Sequence, residues 1–166
     1  MERRELFSFL SSSMQEVVKE SKSDATIIRP PYYNDPDAFV TECQNCAAEC
    51  ASLCQEQIII IGEDSTPYLD FSKRGCTYCD ECAVGCPSDV LSVENKHKIL
   101  VDIVINKNRC LSWQGVMCFS CKDPCLENAI DFQAMFMPQI NEKCTSCGFC
   151  IGRCPADAID IKRVSE

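Results

Sequence analysis

The chain has 166 residues, enough for one or two small domains, and carries 16 Lys and Arg against 25 Asp and Glu, a formal net charge of -9. That acidity argues against a nucleic-acid partner, whose phosphates need a basic surface, and no run of 18 apolar residues exists to span a membrane. Hydrophobic residues make up 46% of the chain, but the class includes 16 cysteines, and without them it is too thin to fold two separate domains by apolar burial alone.

Taken in chain order, residues 1–20 open with Arg3-Arg4, and Leu6, Phe9, Leu10, Met14, Val17 and Val18 share one face at helical spacing. An amphipathic helix is predicted there, packing on its own protein or docking to a partner. The arginine pair faintly resembles a twin-arginine export signal. The following stretch Ser11 to Glu20 is polar, holds Glu16 and Glu20, and lacks the apolar core and cleavage site of such a signal. The segment is therefore expected to stay uncleaved and the protein to be cytoplasmic. Residues 21–37, with Pro30, Pro31, Pro36 and the turn pair Asn34-Asp35, read as a linker. Beyond it a unit recurs four times: its first cysteines fall at 43, 76, 110 and 144, a period near 33 residues. Between the cysteine groups lie short apolar runs of β character: Ile58-Ile61, Tyr68-Phe71, Val90-Val93, Ile99-Ile105, Ala129-Phe132, Phe136-Ile140 and Ile159-Ile161.

Every cysteine belongs to one of four groups: Cys43/Cys46/Cys50/Cys54, Cys76/Cys79/Cys82/Cys86, Cys110/Cys118/Cys121/Cys125 and Cys144/Cys147/Cys150/Cys154. The second and fourth read C-x2-C-x2-C-x3-C-P without deviation. Three cysteines at i, i+3 and i+6 can wrap a metal cluster but suit a disulfide framework poorly. Zinc sites usually combine two separated pairs, often with histidine. The one histidine, His97, lies outside every group and reads as a turn residue without chemistry. The third group opens C-x7-C, so Leu111 to Met117, with Trp113 and Gly115, form an enlarged loop; Trp113 either covers a bound group or is a loose surface aromatic. The first group has one extra residue before Cys50, and Gln55 stands where proline is expected. In a helical stretch that residue would turn Cys50 by about 100°.

These groups resemble the bacterial ferredoxin family over Cys43 to Arg163, whose ligand run for a [4Fe-4S] cluster is the regular pattern above. The resemblance implies an α+β fold of tandem two-cluster modules with short βαβ-βαβ units, one over 38–98 and one over 99–166. It also implies that the last cysteine of each group ligates the cluster of the paired group. The 18 residues between Cys125 and Cys144 match the gap of compact two-cluster ferredoxins, which pairs the third group with the fourth and then the first with the second. The implied sets are Cys43/Cys46/Cys50/Cys86, Cys76/Cys79/Cys82/Cys54, Cys110/Cys118/Cys121/Cys154 and Cys144/Cys147/Cys150/Cys125. A nested pairing, first with fourth and second with third, stays open. Four [4Fe-4S] clusters are expected; the irregular first group leaves a [3Fe-4S] cluster or a vacant site open there. Much of the folding free energy would then come from metal ligation.

The chain shows no Gly-rich phosphate loop, no Ser/His/Asp set and no nucleotide fingerprint, so a non-enzymatic protein is expected. Arg3-Arg4, then Ile28-Arg29-Pro30-Pro31, then four cysteine groups with the third expanded, resemble the NapF family of accessory ferredoxins. That resemblance implies a cytoplasmic protein that assists maturation of the periplasmic nitrate reductase subunit NapA before export, with the NapA precursor as partner. The alternative is a general polyferredoxin carrier, or a redox-complex subunit feeding electrons to a reductase. A third reading makes the irregular first group a redox or oxygen sensor.

Overall fold

The computed structural model describes residues 27–163; the helix expected over 1–20 and the first part of the expected linker lie outside them. Among the described residues, six short strands form three antiparallel pairs. β1 (Ile59–Ile61) pairs with β2 (Pro67–Leu69), β4 (Ile130–Gln133) with β5 (Met137–Ile140), and β3 (Val101–Ile105) with β6 (Ile159–Arg163). In the C-terminal half, residues 101–163, the β3–β6 ladder runs from Val101 opposite Arg163 to Ile105 opposite Ile159. The β4–β5 hairpin and two cysteine groups lie in sequence between those strands. Alternation sets the inward face: Val101 and Ile103 are buried while Asp102 is exposed.

The N-terminal half has the central hairpin β1–β2 but a different outer pair. The run Val90-Val93 was expected as a strand and is not one; it ends in a 3-10 turn, Val93–Asn95. Its neighbour is the segment 28–33, which turns at Pro31 and Tyr32: Ser92 N–H donates to Tyr32 C=O at 2.8 Å and His97 N–H to Pro31 C=O at 3.0 Å. Pro30 and Pro31 have no N–H to return, so a continuous ladder cannot form there.

The proline segment itself departs from the linker reading. Ile28, Pro30, Pro31 and Tyr32 are buried in the core. Arg29 Nη1 donates to Thr66 Oγ1 and to Pro67 C=O, each at 2.6 Å, and its guanidinium lies 4.7 Å from the Phe39 ring centre. The segment is pinned to β2 on one side and to α1 (Ala38–Glu42) on the other. Two four-residue helices follow among the described residues: α2 (Glu49–Ser52) and α3 (Glu81–Val84). A single apolar core runs through both halves, from Phe39, Leu69, Phe71 and Leu91 to Ile99, Val101, Ile130 and Ile159. No helix among the described residues is long and apolar enough to cross a membrane.

Candidate metal centres

Backbone handedness shapes the cysteine loops. In the second group Tyr78 (φ 55°) and Asp80 (φ 68°) are left-handed, and in the fourth group Ser146 (φ 59°) and Gly148 (φ 84°) hold the same two places. Alternating handedness curls successive N–H groups toward the inside of a loop, a concavity suited to an anion. Tyr78 N–H donates to Cys76 Sγ at 3.4 Å in this way. Three residues after the last cysteine of every group comes another left-handed residue: Gln57, Asp89, Asn128 and Asp157. Those turns fold the chain back so that N–H groups meet sulfur: Ala129 on Cys125 and Ala158 on Cys154, both at 3.2 Å, and Leu91 on Cys86 at 3.5 Å. Sequence reasoning missed these turns. Their signal is visible in hindsight, since Asp and Asn tolerate the left-handed region better than most residues.

The cysteines surround partly open cavities of nearly one size. Cys54, Cys76, Cys79 and Cys82 line a cavity of about 370 Å³, walled by Pro30, Pro31 and Leu69. Cys125, Cys144, Cys147 and Cys150 line another of about 370 Å³, with Ile103 and Ile130. Cys110, Cys118, Cys121 and Cys154 line a third of about 350 Å³, with Leu111 and Pro138. The remaining cysteines also gather. Burial pushes the Cys50 thiol up to about 11, and the neighbours that raise it further are Cys86, Cys46 and Cys43. Each set thus draws three cysteines from one group and one from the next or preceding group.

All sixteen cysteines are free thiols. Burial pushes Cys82 and Cys150 up to about 12 and Cys76 and Cys121 up to about 11. Neighbouring sulfurs add to this, Cys76 and Cys54 at Cys82, and Cys147 and Cys144 at Cys150. Such thiols hold their protons at neutral pH, so a metal group must displace them on binding, and its affinity rises with pH. Among the described residues no three His, Cys, Asp or Glu side chains converge closely enough to hold a single metal ion. Thiols spread around a cavity, with N–H groups aimed at the sulfurs, suit an anionic polynuclear cluster held by four thiolates.

The irregular groups resolve locally. In the first, Ala48 is left-handed (φ 60°) and α2 follows with Cys50 as its second residue. Asp80, α3 and Cys82 repeat that arrangement in the second group. The extra residue is therefore taken up before Ala48, in non-helical backbone, and Cys50 is not rotated out of place. In the third group Ser112 is 1% exposed and its Oγ donates to Cys118 C=O at 2.7 Å, closing the enlarged loop. Leu111 lines the cavity, whereas Trp113 braces the loop from outside it. Trp113 Nε1 donates to Pro138 C=O at 3.2 Å, and Lys107 Nζ stands 4.4 Å from its ring centre. His97 packs edge-on against Tyr33, its Nδ1 beside Lys98 C=O, away from the cysteine sets.

Known proteins agree with this site chemistry. The 4Fe-4S binding domain family, Fer4, matches residues 137–160, which contain the fourth group. The Ferredoxin-type protein NapF of Escherichia coli K12 is 34% identical over 137 residues, covering 80% of this chain and 82% of that one. The Ferredoxin-type protein NapF of Haemophilus influenzae is 28% identical over 99% of this chain and 95% of its own. The Ferredoxin-type protein NapG of the same organism is 27% identical over 81% of this chain and 57% of its own. With its four cysteine groups and a likeness of that extent, the chain belongs to the NapF family of ferredoxin-type iron–sulfur proteins.

Proposed function

We propose that the chain holds four [4Fe-4S] clusters in two ferredoxin modules, each cluster ligated across a pair of groups. The sets are Cys43/Cys46/Cys50/Cys86, Cys76/Cys79/Cys82/Cys54, Cys110/Cys118/Cys121/Cys154 and Cys144/Cys147/Cys150/Cys125. One observation carries this reading: three cavities of nearly equal volume, each bordered by three cysteines of one group and the last of its partner. Nested pairing would need Cys154 beside the first group, and Cys154 lines the cavity of the third. When bound, such clusters supply one-electron redox chemistry. The chain's part is to fill every iron position with a thiolate, aim N–H groups at the sulfurs, and exclude water with Pro30, Pro31, Leu69, Ile103 and Leu111. With no open iron, the sites suit outer-sphere electron transfer rather than substrate turnover.

In the cell, we propose, the protein works in the cytoplasm on the NapA precursor before its export; membership of the NapF family supports this. The second reading is a general electron carrier or redox-complex subunit, favoured by the net charge of -9, which suits docking to a basic partner surface. Anaerobic iron and sulfide analysis should give about 16 irons per chain. Cys86→Ala and Cys43→Ala should then abolish the same EPR signal. If Cys86→Ala instead abolishes the signal that Cys76→Ala removes, ligation across groups is wrong. For the role, the protein should capture unprocessed NapA. Wild-type NapA activity and cofactor content in a deletion strain would overturn the maturation reading in favour of the carrier.

A further inference from the structure

The two halves meet along one seam, and that seam joins two cysteine loops. Cys76 N–H donates to Cys147 C=O at 2.7 Å. Tyr78 Oη donates to Thr145 C=O at 2.6 Å and accepts from Ile99 N–H at 3.1 Å. The approach is too close for side chains. A Cβ on Gly75 would lie 2.4 Å from Phe149 N and 2.6 Å from Cys147 O, both backbone atoms. A Cβ on Gly148, already at φ 84°, would lie 2.4 Å from the Phe71 ring. Ser146, 1% exposed, anchors its loop within the C-terminal half by a bond from its Oγ to Val101 C=O at 2.6 Å. Among the described residues, no hydrogen bond joins the loop 43–54 to the C-terminal half, or the loop 110–125 to the N-terminal half. Among the described residues, the cysteine loops that hydrogen-bond across the halves are those of the second and fourth groups.

We propose that this seam is the electron crossing between the modules. The four sites then form one line in the order first, second, fourth, third, with Gly75, Tyr78 and Gly148 as its positioning residues. The proposal rests on the ligand sets given above. The crossing moves a single electron from a reduced [4Fe-4S] site to its oxidised neighbour; no bond forms or breaks and no proton is transferred. Electron tunnelling weakens exponentially with separation, so backbone contact between two ligand loops marks the shortest bridge between the halves. The glycines give this closeness, and the Tyr78 hydroxyl keeps the register by holding both Thr145 and Ile99. In such a line the first and third sites are terminal, which leaves one end for a donor and the other for an acceptor.

The test is the magnetic interaction between reduced clusters, measured by EPR on dithionite-reduced full-length protein. Cys43→Ala should empty the first site and leave about 12 irons. The second site then has no partner in its own half, so its signal stays broadened only if it couples across the seam to the fourth. A broadened spectrum with no narrow, isolated component is expected. An isolated component with 12 irons present would overturn the seam alone. Fewer irons, or loss of a different signal, would overturn the ligand sets and the proposal with them. Adding Gly75→Ala should produce the isolated component at unchanged iron content, and an unaltered spectrum would again refute the crossing. Cys110→Ala provides the mirror experiment should the first variant fail to fold: the fourth site must stay coupled to the second.

Discussion

Replacing Tyr78 by Phe removes one oxygen and two hydrogen bonds while keeping the ring. Thr145 C=O loses its donor and Ile99 N–H its acceptor. Ile99 is 1% exposed, so its N–H bears the full cost of an unsatisfied buried group, about 1–3 kcal/mol. Thr145 is only half-buried, and water can partly replace its lost donor. A total of about 2 kcal/mol is expected. Unfolding destroys the clusters and is irreversible, so the relevant quantity is a rate. Bleaching of the cluster absorbance in guanidinium, under argon, reads it directly. If the seam opens before the rate-limiting step, the loss corresponds to roughly 30-fold faster bleaching. Burial holds the Tyr78 phenol far above its usual titration range, so the hydroxyl stays neutral and the ratio should not change across neutral pH. Tyr68→Phe is the control, since that hydroxyl makes no hydrogen bond among the described residues; it should bleach at the wild-type rate. A Tyr78→Phe protein within about twofold of wild type would refute the argument that this hydroxyl locks the halves together.

Two further outcomes follow from the sites. Ser112→Ala frees the Cys118 carbonyl and loosens the enlarged loop, so the third cluster should be lost first in air; iron content should fall from about 16 to about 12 while the signals of the other sites persist. Asp160 accepts hydrogen bonds from Arg109 and Asn106, and the Arg109 bond first of all holds its carboxyl below the ordinary 3.8. A depressed carboxylate stabilises above its unfolded pKa and loses that contribution only as pH falls through the folded value. The pair is largely exposed, so its effect is small. Asp160→Asn should therefore lower the bleaching temperature by a small, constant amount from about pH 5 to about pH 8, and a difference that changed across that window would show another group at work.

How far the sequence announces this structure depends on what enforces each feature. Cysteine spacing is set by the size of the bound group, so the sixteen positions and their period are legible without coordinates. Strands such as Val101–Ile105 are legible because one face is buried and the pattern alternates. The run Val90-Val93 is similarly apolar and fails, since strand formation needs a partner and its neighbour carries Pro30 and Pro31. Those prolines mislead in another way: they read as a linker, yet buried against Cys54 and Cys76 they wall a cavity, where a rigid segment without N–H groups leaves no unsatisfied donor. The shifted first group misleads because the rotation applies only to a helical stretch, and residues 46–48 are not helical, with left-handed backbone at Ala48. The seam is the least legible feature. Gly75 and Gly148 look in sequence like ordinary loop glycines, and the need for them arises only when a second loop comes within 3 Å of where a Cβ would be. That requirement belongs to a pair of loops about 70 residues apart, so no local pattern can encode it. A glycine directly before the first cysteine of one group, matched by a glycine after the second cysteine of another, is the trace that such a contact leaves, and it becomes readable once the contact is known.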